Sequence, residues 1–119
     1  MGALEYLGGL PKGTATESVE VTVRRESVRF QHGTFLRGWS HALPLTAITS
    51  VEQVTAERVA AAGIEAPSAH EHEHFLAIEA RQGDGTIVVI LRGQWAELDE
   101  LRQSILKGRM RAAKQWKSR

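Results

Sequence analysis

Three histidines at alternate positions, His70, His72 and His74, are the first residues whose types and spacing suggest chemistry. On an extended chain alternate side chains share one face, so two of these imidazoles can chelate a divalent cation. Glu71 and Glu73 then point the other way, and Glu65 is the carboxylate within reach in sequence. The competing reading is a solvated polar loop, because histidines on a flexible segment bind added nickel or copper weakly in any context. The loop reading is preferred, and no metal or other cofactor is expected. His32 and His41 stand alone and read as surface or strand-end residues.

The second candidate is electrostatic. Residues 1–100 hold 8 Lys/Arg and 14 Asp/Glu, a net −6, whereas residues 101–119 hold 7 Lys/Arg and no acid, a net +7. Lys107, Arg111 and Lys114 fall on the polar side of a C-terminal helical pattern, with Arg109 and Lys117 flanking its apolar stripe. Together with Trp116 they suit an anionic membrane surface. Nucleic acid is disfavoured, since no groove-reading motif and no interleaved aromatic set accompany the charge. The bland alternative is a solvated helix end, where cations complement the dipole. Arg24 and Arg25 complete the anionic-partner candidates. Met110 and Trp116 are interface candidates, because leaving both wet forms an apolar patch of the kind that marks contacts.

Catalysis has little support. Asp84 sits in a turn sequence that suits its side chain. No nucleophile elbow, metalloprotease helix or phosphate loop surrounds the serines and histidines, so no enzyme is expected. The chain has no cysteine, which removes disulfides, thiolate metal sites and cysteine nucleophiles. No apolar run reaches the length of a membrane span, and residues 1–10 lack the pattern of a secretory leader. A cytoplasmic protein, with peripheral membrane contact left open, is the expectation.

The elements that must position these residues follow from periodicity. The 119 residues are expected to form one domain. Residues 1–16 read as an irregular lead-in, because Tyr6-Leu7-Gly8-Gly9-Leu10-Pro11 resists both helix and ladder. Tyr6 and Leu7 are expected to pack on the domain. Val19, Val21 and Val23, then Val28 and Phe30, alternate with polar residues and predict a hairpin turning at Arg25-Glu26. A short strand within residues 33–40 is weaker. Pro44 marks a strand edge or bend, and residues 46–55 are extended by composition. Residues 56–74 read as an exposed loop insertion. Leu76, Ile78 and Ala80 define one face of the next strand. Gln82-Gly83-Asp84-Gly85 is a turn, and residues 86–92 form a β-branched run buried on both faces. Gly93 ends it. From there Trp95, Leu98, Leu101, Ile105, Leu106, Met110, Ala113 and Trp116 fall on one broad face of a helix over residues 94–116. At about 1.5 Å per residue that helix spans about 34 Å, so its last two or three turns are expected to project beyond the sheet.

Antiparallel strands in succession, closed by one amphipathic helix, resemble the pleckstrin-homology-like barrel, and in detail the small bacterial pleckstrin-homology-like domains. The resemblance rests on Tyr6-Leu7-Gly8-Gly9-Leu10-Pro11, the hairpin of residues 19–30, Leu43-Pro44-Leu45 running into Ile48 and Val51, the hairpin of residues 75–91 and the helix of residues 94–105. It covers about three-quarters of the chain with loose hydrophobic patterns. It implies a mainly β fold: a strongly bent antiparallel sheet or barrel capped by the C-terminal helix. It also implies a binding module rather than an enzyme, although fold alone does not choose the ligand. Phosphoinositide-binding members use a basic cluster in and beside the first hairpin loop. Here Arg24, Arg25 and Arg29 lie near that place with Glu26 among them, a departure from the lipid-binding pattern. The expected function is therefore protein–protein interaction or self-association, through a sheet edge or the groove beside the helix. The alternative is an anionic-membrane module working through the basic tail.

Overall fold

The structure, a computed structural model, describes residues 4–9, 17–33, 37–54 and 74–117, with the backbone alone for Glu17 and residues 114–117. Seven strands form one antiparallel sheet: β1 (Leu4–Gly8), β2 (Glu17–Val23), β3 (Ser27–His32), β4 (Trp39–Pro44), β5 (Ile48–Val54), β6 (His74–Gln82) and β7 (Gly85–Gly93). Their spatial order is β4-β3-β2-β1-β7-β6-β5. A turn of 3-10 helix, Leu45–Ala47, joins the two outermost strands, and α1 (Trp95–Lys117) follows β7. The sheet is strongly bent but does not close, so the expected architecture is present as an open sheet rather than a barrel.

The hairpins form where alternation and turn residues place them. Val21 pairs with Phe30 and Val23 with Val28, and the turn between them closes with the Arg24 amide donating to the Ser27 carbonyl at 2.7 Å. Gln82 pairs with Gly85 across a two-residue turn in which Gly83 takes a φ of 60°. Pro44 ends β4, an outer strand, where its missing N–H costs no ladder bond.

One expectation is corrected. Within the stretch read as an irregular lead-in, Leu4–Gly8 is a strand, and it lies in the middle of the sheet between β2 and β7. Its register against β7 slips between Tyr6 and Gly8. Gly9 follows with a φ of 112°, where an added Cβ would stand 2.0 Å from the Val88 carbonyl oxygen. Glycines there do not break the strand. They let it bulge and let the chain leave close over β7.

The concave side holds the main core. Leu4, Tyr6, Val19, Val21, Val28 and Phe30 from the first half of the chain meet Leu76, Ile78, Val89 and Leu91 from the second. Tyr6 and Leu7 both pack on the domain as expected, on opposite faces: Leu7 joins Phe75 and Ile90 in a second apolar cluster. This two-sided burial explains why β7 reads as a continuous apolar run instead of an alternating one.

Helix α1 covers the concave side. Gln94 accepts the Leu98 amide at 3.0 Å and starts the helix, and Glu97 lies in its first turn, where the dipole favours an acid. Leu98, Leu101 and Ile105 are fully buried, and the seam continues through Gly108 and Ala112. That seam is narrower than the broad face expected from the sequence. Trp95 and Met110 are 53% and 63% exposed, and Ala113 is exposed as well. The expected projection of two or three final turns also shortens, since the helix stays in contact with the core to Ala112.

Candidate binding surfaces

Two grooves flank α1, one beside each half of the helix. The first lies between the helix and β5, an outer strand of the open sheet. Glu52 and Gln53 form one wall and Asp99 and Arg102 the other, around a volume of about 360 Å³. Arg102 Nε donates to the Val51 carbonyl at 3.1 Å, which ties the helix to the strand. The Gln53 side chain presents a buried amide nitrogen, Nε2, that has no acceptor among the described residues. An amide donor shut away from water without a partner costs about 1–3 kcal/mol.

The second groove is open, holds about 660 Å³, and runs between the β2–β3 turn and the later turns of the helix. Thr22, Arg24 and Arg25 line one side and Ser104, Lys107 and Arg111 the other. Among the described residues no carboxylate lines it, and none of these four cations takes part in an ion pair. Glu26 shares the turn and is exposed, but it does not line the groove. Two local features hold the walls together. The Leu45 amide donates to the Glu26 carbonyl at 2.9 Å, anchoring the turn to the 3-10 helix. Gly108 faces Leu45 so closely that an added Cβ would sit 3.0 Å from Leu45 Cδ1 and 3.7 Å from Val23 Cγ1. The missing side chain lets helix and strand approach.

Of the residues singled out from the sequence, Arg24, Arg25, Lys107 and Arg111 are thus brought to one place. Lys114 and Trp116 continue the same helix, but their side chains lie outside the described residues. Met110 is exposed on the helix surface, three residues on from Lys107 on the same face. His70 and His72 lie outside the described residues, and His74 is the first residue of β6, partly buried. Among the described residues no group of three metal-ligating side chains comes together.

Sequence reasoning passed over Glu52, Gln53, Asp99 and Arg102. Each reads as an ordinary polar residue on a strand or helix face, and only the approach of α1 to the sheet edge makes them a surface. Elsewhere, Arg92 on β7 donates from Nε to Glu5 Oε2 on β1 at 3.1 Å, a partly buried pair that staples the central strands. No helix among the described residues is long and apolar enough to cross a membrane. No protein-family model matches the chain and no curated protein matches it, so the geometry has to support a functional reading by itself.

Proposed function

We propose that the chain is a non-catalytic, pleckstrin-homology-like binding module of the cytoplasm that docks a protein chain against β5 and the groove between β5 and α1. The supporting observation is the buried Gln53 amide on an outer strand of the sheet, which has no acceptor among the described residues. A strand at a sheet edge presents unpaired backbone groups, and an extended segment laid along it gains main-chain hydrogen bonds. Such a segment also brings carbonyl oxygens to the level of Gln53. The rim formed by Glu52, Asp99 and Arg102 mixes both charge signs, which suits a peptide better than a uniformly charged ligand.

A second copy of the chain is the first partner to test, because −6 in residues 1–100 and +7 in residues 101–119 are complementary between copies. Light scattering over a concentration series should show a mass that rises with concentration and falls back in high salt. Gln53→Lys places a charge on the edge and should abolish the rise. A constant monomer mass at low salt, together with a peptide-display selection yielding no binder sensitive to Gln53→Lys, overturns the reading.

A further inference from the structure

The outward face of α1 carries a charge pattern that neither groove accounts for. Glu97, Asp99 and Glu100 occupy its first two turns, Lys107, Arg109 and Arg111 its later ones, and no acid follows Glu100. Glu100, Lys107 and Arg111 are exposed and lie within about 40° of one another around the helix. Along it, Glu100 and Lys107 stand about 10 Å apart, too far to pair within one chain. The near neighbours are like charges instead: Glu97 and Glu100 three residues apart, Lys107 and Arg111 four apart. At those spacings like charges destabilise a helix. None of these four residues has an ion-pair partner among the described residues.

An apolar observation points the same way. Trp95 and Met110 are the large apolar side chains left exposed among the described residues, at 53% and 63%. They stand about 22 Å apart along the helix and within about 60° around it, so neither covers the other. Both patterns are self-complementary under a two-fold axis. A second, antiparallel α1 crossing between Gln103 and Ser104 sets its Lys107 against Glu100 and its Arg111 beside Glu97. It also brings its Met110 within one turn of Trp95, and the axis makes every such contact twice. We propose that α1 pairs antiparallel with α1 of a second copy through this outward face, forming a closed two-fold dimer. Lys107 and Arg111 thereby gain the counter-charge that the walls of the basic groove lack. The β5 edge takes no part, so the pair goes beyond the edge reading and stands or falls without it.

The chain has no cysteine, so introduced ones report the geometry directly. Gln103→Cys, beside the axis, should give a disulfide-linked dimer on mild oxidation of the full chain. Ala96→Cys and Met110→Cys should each fail to link to themselves, being about 20 Å from their own counterparts, yet should link to each other when mixed. In the Gln103→Cys chain, Glu100→Lys and Lys107→Glu should each lower the linked yield about tenfold, and the two together should restore it. Gln53→Lys should leave the linking intact and hold the mass at two copies across the concentration series. Normal linking without any rise in mass sensitive to Gln53→Lys upholds the pair while the edge reading falls. Absence of linking at Gln103→Cys, equal self-linking at Ala96→Cys or Met110→Cys, or no recovery in the double reversal overturns the pair. Linking lost with Gln53→Lys assigns the contact to the β5 edge and overturns it as well.

Discussion

The two grooves beside α1 share one helix and one core, yet they differ in how their charges are satisfied. Beside the first half, Asp99, Arg102 and Glu52 line one groove, and Arg102 already spends a donor on the Val51 carbonyl. Beside the second half, Arg24, Arg25, Lys107 and Arg111 line one groove with no acid on its walls among the described residues. The first surface carries both charge signs and a buried amide that has no acceptor among the described residues. The second carries cations with no counter-charge among the described residues. One helix therefore presents two unlike surfaces, because its polar flanks meet strands of different composition at its two ends.

The halves also differ in how firmly they are held. Leu98, Leu101 and Ile105 anchor the first half, while Gly108 and Ala112 seat the second. The largest expected effect follows from that contrast. Truncation after Gly93 removes the whole cover of the concave core and should leave no cooperative thermal transition. Truncation after Gly108 should keep the transition. If both truncations melt cooperatively, the helix is not what closes the core.

Next in size are changes within the anchoring half. Leu101→Ala and Ile105→Ala should each destabilise by about 2–4 kcal/mol in denaturant titrations, since both side chains are completely buried and leave a cavity. Ala112→Gly at the far end of the seam should cost about 1 kcal/mol, chiefly through helix propensity. Equal losses at both ends would erase the distinction between an anchored half and a lightly seated one.

The smallest effect should come from Gln53→Leu. It removes a buried donor that lacks an acceptor, so stability should stay within about 1 kcal/mol of the parent or rise. Association should fall all the same. A destabilisation of several kcal/mol would mean that the Gln53 amide already serves the fold.

Local patterns by themselves determined much of this molecule. The alternation of Val19, Val21, Val28 and Phe30 marks a hairpin with one buried face, and all four are buried. Gln82-Gly83-Asp84-Gly85 marks a tight turn, and β6 and β7 pair along their whole length around it. The change of period after Gly93 marks the start of α1 within a residue. These signals are legible because each depends on neighbours within a few positions, where steric preference and burial periodicity act directly.

Tertiary structure decided the rest. Leu4–Gly8 becomes a central strand only because β2 and β7 flank it, and that pairing outweighs the poor strand propensity of its glycines. Met110 fits the apolar period of the helix yet stays exposed, because Gly108 and Ala112 draw a closer seam against Leu45 and Val23. The charge of the tail was visible from composition, but its union with Arg24 and Arg25 was not. Those pairs are far apart in the chain and meet only through the bend of the sheet. No local preference encodes a distance between remote residues, so the candidate sites, unlike the strands and the helix, exist only once the chain has packed.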